Sequence, residues 1–310
     1  FYRGKDSKDI EYAVSKLLQY QRPDRAIDVI YMGKHSKCEV APTLIMDVLD
    51  AAAKLPKKAA EAQANHRDVY AIQDLFKTLQ NSEGVDEQRL VSLEWAYLGL
   101  LDEHHGAAPK TLHAAIQSDP KFFVQLLSWV FRSKNEPKKS PDSITEQEQA
   151  VARNAYNLLT SLKQIPGAQQ DGSVDSKKLS EWVLQARTLC KESGRLEVCD
   201  TRIGEMFAYA SADPDGSWPC VTVRDTIERV KSEALEHGFD IGIYNKRGMH
   251  SKSLTEGGKQ EHDLASQYSG HADKCSLRWP RTAAALRRVA TSYEREAQLE
   301  DEKIEARLER

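Results

Sequence analysis

Adjacent apolar residues recur in pairs four positions apart along most of this 310-residue chain. Leu44 and Ile45, for example, are followed by Val48 and Leu49. On an α-helix, whose period is 3.6 residues, such pairs form one apolar stripe that can pack against a neighbouring helix. About fourteen segments fit this template. The chain is therefore predicted to be all-α.

Residues that start and stop helices flank these segments. Thr145 and Glu148 have the spacing of a capping box, and Asp119 precedes a proline as an N-cap residue would. Asp86 and Asp175 are further candidate N-caps. Glycines follow four of the periodic runs, where a left-handed C-cap is favoured: Gly33, Gly84, Gly194 and Gly238.

The helices are short and so are most of the connections, so neighbouring helices should pack as antiparallel hairpins. A series of such hairpins predicts a degenerate α-solenoid of the HEAT, armadillo or tetratricopeptide (TPR) kind. Residues 135–143 carry two prolines and two lysines and are a candidate linker. We therefore predict N-terminal helical repeats over 1–134 and C-terminal repeats over 144–310. The second set would include a Gly-rich loop and a charged terminal helix; one continuous array is the alternative.

Charge and cysteine content narrow the functional classes. The net charge of -3 argues against a dominant phosphate-binding surface. Five cysteines without a C-x-x-C pair indicate reduced thiols, which favours a cytoplasmic protein. We expect no membrane partner, since no apolar run has the length of a membrane span. Because the first residue is Phe1 rather than Met, we expect the chain to be part of a longer protein.

The most unusual segment is 244–262, which reads as a polar, glycine-containing loop. Glycines allow close backbone approach, and Gly257-Gly258 precede a possible helix N-terminus, a natural site for an anion. Arg247 and Lys252 would add positive charge. This pattern indicates an anion-binding or partner-binding loop; the alternative is a polar connector, because Gly-rich turns are common between helices.

Catalytic and phosphate-binding signatures are missing from the sequence. It contains no G-x-S-x-G, G-x-x-x-x-G-K-[ST], H-E-x-x-H or G-x-G-x-x-G motif. We therefore expect no catalytic residue and no cofactor here, and expect any enzymatic activity to lie in an upstream portion. An enzyme with its site in 244–262 is the alternative, with Glu256, Glu261 and His250 as acid/base candidates.

Two further kinds of site were weighed. Arg281, Arg288 and Arg295 recur every seven residues beside Trp279, a stripe that would suit a nucleic-acid backbone, although acidic residues follow directly. A metal site would need four residues without finger-type spacing, so we expect none: Cys220, His262, His271 and Cys275.

A further pattern lies mainly in the C-terminal third of the chain: Arg247-Gly248, Glu256-Gly257-Gly258, Gln260-Glu261, Leu264-Ala265, Tyr268, Trp279-Pro280-Arg281-Thr282-Ala283, Leu286-Arg287, Ala290, Tyr293-Glu294 and Glu296-Ala297. Earlier pieces of it are Leu17-Leu18, Arg22-Pro23, Ala26-Ile27 and 213–219. In these residues the chain resembles the C-terminal helical portion of large, poorly characterised multidomain bacterial proteins. The resemblance implies an upstream enzymatic or nucleotide-dependent part and a role in antiphage defence, with the helical tail sensing a ligand or holding an assembly together.

These observations together predict an interaction, scaffold or sensor module. Its partner would be another protein or a second copy of the chain, with nucleic acid as the less favoured alternative. The predicted contact patch consists of Arg247, His250, Lys252, Glu256, Gln260, Arg281 and Arg288.

Overall fold

The computed structural model describes residues 6–55, 66–101, 106–135, 144–253 and 256–308. Within these ranges the chain forms fourteen α-helices and one short 3₁₀-helix. Extended pairing in the same ranges is limited to an isolated β-bridge between Ala168 and Val174. The predicted all-α class is confirmed.

Two compact units make up the chain, Phe1–Ala115 and Ile116–Arg310. The helices of the first are α1 (Ser7–Gln19), α2 (Pro23–His35), α3 (Pro42–Ala53), α4 (His66–Gln80), α5 (Glu87–Ala96), the 3₁₀-helix Leu98–Leu100 and most of α6 (Lys110–Ser118). In this unit α2 packs against α1, α3 and α4. Its core is aliphatic with one buried phenylalanine, Phe76, whose ring meets Tyr97 edge-on at 5.5 Å between centroids.

The second unit holds the remaining helices. They are α7 (Pro120–Val130), α8 (Glu146–Ser161), α9 (Ser176–Glu192), α10 (Leu196–Phe207), α11 (Val221–Val230), α12 (Glu233–Arg247), α13 (Lys259–Cys275) and α14 (Pro280–Leu308). The helices with the most extensive mutual contacts are α10 with α12 and α13 with α14. The predicted linker 135–143 falls inside this unit, and residues 136–143 lie outside the described residues, so a domain boundary there stays a prediction.

Local capping signals were read correctly. The side chains of Asp86, Asp119 and Asp175 accept backbone N–H bonds at the starts of α5, α7 and α9. Thr145 and Glu148 form the predicted capping box of α8. Each cap satisfies donors that the first helical turn leaves without an intrahelical partner.

Three of the four predicted C-cap glycines are not at a helix C-cap. Gly194 directly follows the C-cap of α9 with φ of +68°, as a left-handed cap requires. Gly84 has φ of +69° but lies in the turn beyond Gln80, the last residue of α4. Gly33 and Gly238 instead lie inside α2 and α12. A Cβ at Gly33 would lie 2.3 Å from Ile10 Cδ1, so this glycine allows two helices to approach rather than ending one.

Both ends of the segment 244–262 are helical, although its composition predicts a loop throughout. Residues 244–247 form the last turn of α12, and residues 259–262 form the first turn of α13. Among the described residues between them, 248–253 and 256–258 are irregular. The break comes at Gly248, whose φ of +65° no α-helix accommodates.

An aromatic cluster fills the space enclosed by α12, α13, α14 and the irregular segment before α11. Trp218 stacks on Phe239 at 5.4 Å and meets Tyr268 at 5.9 Å. Tyr268 in turn stacks on Tyr293 at 5.8 Å, and Tyr293 meets Tyr244 at 4.8 Å. Such contacts add to the stabilisation from simple burial, so this cluster fixes the arrangement of the last three helices.

Candidate functional site

Helix α12 is held in place by an unusually close contact with α10. A Cβ at Gly204 would lie 2.0 Å from the Leu235 carbonyl oxygen, and one at Gly238 would lie 2.0 Å from the Thr201 carbonyl oxygen. Real Cβ atoms do not approach backbone oxygens so closely, so only glycine permits this packing. This contact also fixes the position of the opposite face of α12, which packs against α14.

A groove of about 540 Å³ lies between α12 and the first half of α14. One wall is formed by residues in the first half of α12, and the other by residues in the first turns of α14, starting at Pro280. The lining residues are Glu233, Glu236, His237, Asp240, Pro280, Arg281, Ala284 and Arg288. The groove thus joins an acidic wall to a basic one.

Three ion pairs cross the groove. Arg281 Nε donates to Glu236 Oε1 at 2.7 Å, Arg288 Nε donates to Asp240 Oδ2 at 2.9 Å, and Arg288 Nη1 lies 3.9 Å from Glu236 Oε2. The carboxylates lie deep, with 10% and 16% of their side-chain surface exposed, whereas the two arginine side chains retain 35% and 48%. The groove therefore presents guanidinium groups to its opening, with the acidic groups behind them.

Asp240 carries a polar atom that the described residues leave without a partner. Its Oδ1 is buried and accepts no hydrogen bond from them, while its Oδ2 is occupied by Arg288. Burial raises the pKa of this carboxyl above its ordinary value, and the bond from Arg288 opposes the shift. An incompletely satisfied buried carboxylate holds its arginine tightly, because losing that partner would leave the charge uncompensated.

The other predicted patch residues surround a buried glutamate at the α12–α13 connection. Glu261 is 2% exposed and binds Arg247 and Lys252, with His250 Nε2 3.7 Å from its Oε1. Burial raises the pKa of Glu261, but the hydrogen bonds from Lys252 and Arg247 prevail and hold it below the ordinary value. These contacts bind the connection to α13 and leave the carboxylate ionised and saturated.

Glu256 and Gln260 also make local contacts. Glu256 accepts from the Ser253 N–H at 3.1 Å, and the Gln260 side chain donates to Glu256 at 2.9 Å and to the Ser251 carbonyl at 3.0 Å. The seven predicted contact residues therefore fall into two groups, two in the groove and five at the connection.

Two of the three acid/base candidates, Glu256 and Glu261, are engaged in contacts within the protein. Glu261 is enclosed by cations, and Glu256 orders the turn that precedes α13. A general acid or base must reach a substrate proton, whereas the oxygens of Glu261 already accept from Arg247 and Lys252.

The arginine stripe on α14 differs from a phosphate-binding surface. Arg281 and Arg288 are paired with carboxylates, while Arg295 is exposed. Trp279 is buried: its Nε1 donates to Asp225 at 2.6 Å, and the guanidinium of Arg224 lies 3.9 Å from its ring centroid. The ring is thus covered by protein and cannot stack on a base.

Three of the four candidate metal ligands make contacts of another kind. Cys275 is buried, with its Sγ 4.0 Å from both Arg224 Nη1 and the Trp218 carbonyl oxygen. His271 lies against the Trp218 ring at 5.9 Å between centroids. His262 contacts two carboxylates of α14. Over the described ranges, no group of three or more His, Cys, Asp or Glu side chains is placed to hold a metal ion.

Sequence reasoning missed the acidic wall of the groove. The paired carboxylates Glu236 and Asp240 are four residues apart on α12, whereas Arg281 and Arg288 are seven apart on α14. Opposite charges along two helix faces are a pairing signal that the sequence offers. Because the spacings differ, the sequence does not identify which two helices meet.

Comparisons with protein-family models, with curated proteins and with solved structures found no match. Within the part of the chain that the structure describes, no helix combines the length and the apolar composition that crossing a membrane requires.

Proposed function

We propose that this chain is a helical interaction module whose α12–α14 groove binds an acidic segment of a protein partner. The observation that carries the proposal is the layering of charge in the groove, with carboxylates buried and arginines toward the opening. Partner carboxylates would meet guanidinium groups first, and like charges would be excluded.

The arginines are held ready for such a ligand. Each binds a carboxylate of α12 through its Nε, and Arg288 Nη1 also lies 3.9 Å from Glu236 Oε2, so the other terminal nitrogens are the donors that would meet a partner carboxylate. Arginine is suited to this task because its planar group has five N–H donors and can bind two acceptors at once. Holding a side chain in its bound conformation lowers the entropy lost on association.

The spacing of the two arginines suggests the form of the partner segment. Arg281 and Arg288 are seven residues apart on one helix, which corresponds to about 10 Å along its axis. Two acidic residues seven apart on a partner helix have the same separation and share one face. We therefore propose an acidic, amphipathic partner helix lying along the groove.

The remaining parts of the proposal come from the sequence. We propose that the helices form an α-solenoid and that the module belongs to a larger bacterial protein acting in the cytoplasm. A scaffold or sensor role in antiphage defence is part of this proposal. It rests on the resemblance of the C-terminal third.

The test uses a fluorescent, helix-forming peptide with glutamates seven residues apart as the probe. Ala284 is exposed on the groove wall, so Ala284→Glu adds a negative charge without removing an ion pair. We expect it to weaken peptide binding at least about tenfold, measured by fluorescence anisotropy. Gln298→Glu is the matched control, since it makes the same charge change about 20 Å further along α14.

Two results would overturn the proposal. One is an equal loss of affinity in both variants, which would show a general charge effect. The other is failure of the folded wild-type chain to bind the acidic peptide while it binds single-stranded DNA with steep salt dependence, the behaviour of a nucleic-acid protein.

A further inference from the structure

One histidine joins the first turn of α13 to the C-terminal half of α14. His262 Nδ1 lies 3.1 Å from Glu294 Oε2, and its Nε2 lies 3.0 Å from Asp301 Oδ2. The two carboxylates are seven residues apart on α14, so they flank the imidazole from positions two turns apart on one face of the same helix. Both ring nitrogens are thereby occupied by acceptors from another element.

Asp301 has a second role at the same place. Its Oδ1 accepts the Gly258 N–H at 2.8 Å, at the start of α13. Gly258 is the N-cap residue of α13 and has no side chain with which to cap it. A carboxylate from α14 therefore accepts the N–H of the N-cap residue, the bond that the N3 side chain makes in a capping box, at a helix end where the dipole also favours negative charge.

The geometry identifies the protonation state that this arrangement needs. A neutral imidazole has one N–H donor, while its other nitrogen is an acceptor that faces a carboxylate unfavourably. Only the imidazolium donates to Glu294 and Asp301 together. These two carboxylates hold the pKa of His262 above its ordinary value, Asp301 first and Glu294 second.

Other charged groups around the contact do not replace this cation. From α14, Lys303 pairs with Glu300 at 2.6 Å. From the α12–α13 connection, Lys252 is bound to Glu261 and also lowers the pKa of Asp301 from a distance. On α13 itself, the charged neighbours of His262 in sequence are Lys259, Glu261 and Asp263.

We propose that His262 is a proton-operated clasp that holds the last turns of α14 against the start of α13 when protonated and releases them when neutral. The proposal does not depend on partner binding in the groove. Glu294 and Asp301 lose their shared donor on deprotonation, and the cap on Gly258 is weakened with them. The stabilisation is fully present below the ordinary histidine pKa of 6.5 and is lost as the pH rises through the raised value.

Hydrogen exchange of the full chain tests this directly. After correction for intrinsic exchange rates, we expect amide protection over 298–306 to fall roughly two- to fivefold as the pH rises through the titration of His262. His262→Gln cannot titrate, so it should show the low protection at every pH. His35→Gln, at the exposed end of α2 in the first unit, is the control and should follow the wild type.

An NMR titration of the wild-type imidazoles provides the second measurement, which needs no variant to fold. The clasp requires His262 to titrate above the other exposed histidines and at the pH where protection over 298–306 changes. An ordinary pKa for His262, or protection in that segment that ignores its titration, would refute the proposal.

Discussion

The two most extensively packed helix pairs of the second unit are held together by opposite means. In the α10–α12 pair, Gly204 and Gly238 bring backbone against backbone, and the glycine contacts include no titratable group. In the α13–α14 pair, aromatic rings supply the centre and charged side chains supply the ends. The α10–α12 pair therefore requires residues without a side chain at the contact, whereas the α13–α14 pair requires particular aromatic and charged side chains.

The difference determines how each pair responds to its surroundings. Backbone packing against glycine tolerates no added atom but is indifferent to pH and salt. The contacts of α13 contain a histidine clasp that weakens as the pH rises and the Glu261 cluster, whose contribution is lost as the pH falls through the lowered pKa of Glu261. Conformational regulation in this unit is therefore expected at α13 and α14.

Gly238→Ala should have the largest effect. The new methyl group would lie 2.0 Å from the Thr201 carbonyl oxygen, and the clash with backbone is relieved only if the two helices move apart. We expect a loss of about 3 kcal/mol or more in the free energy of unfolding, measured in urea. A loss below about 1 kcal/mol would show that the two helices separate easily, and the comparison of the two pairs would then fail.

Glu261→Gln should have the next largest effect. It leaves Arg247 and Lys252 without their carboxylate in a largely buried site. We expect a loss of about 2 kcal/mol, less than for a fully buried pair because both cations keep some solvent contact. Glu256→Gln, which removes one charge from the same connection, should cost clearly less.

This variant also tests the enzyme alternative for the connection. A structural glutamate gives a destabilised protein, as seen in its urea midpoint. An acid/base glutamate would give a chain of unchanged stability that had lost a catalytic activity of the wild type. The second outcome would contradict the structural role assigned to Glu261.

Gly270→Ala should have the smallest effect, and of opposite sign. Gly270 is an exposed residue in the middle of α13, and a Cβ there would meet nothing within 4 Å. Alanine lowers the backbone entropy of the unfolded chain, so we expect a gain of about 0.5–1 kcal/mol. Together with Gly238→Ala, it separates the packing role of glycine from its helix propensity, since the substitution is identical.

Features encoded by neighbouring residues were predictable. The capping box at Thr145 and the C-cap at Gly194 depend on residues within one turn, and both were read from the sequence. Gly238 is predicted as a C-cap but lies at a close contact between helices, because glycine is suited to both places and the local sequence does not distinguish them. His262 was considered only as a metal ligand, because its partners lie 32 and 39 residues away on α14.

The sequence by itself determined that this protein is helical and where several of its helices begin. Helical hydrogen bonds join residues four apart, and the apolar stripe repeats every 3.6 residues, so both are written in short windows of the chain. Only the tertiary structure decided that the arginines of α14 meet the carboxylates of α12 and that His262 meets Glu294 and Asp301. Those pairings depend on which helices pack together. Helix packing is decided by the complementarity of whole helix faces that lie far apart in the sequence, so no local sequence pattern predicts it.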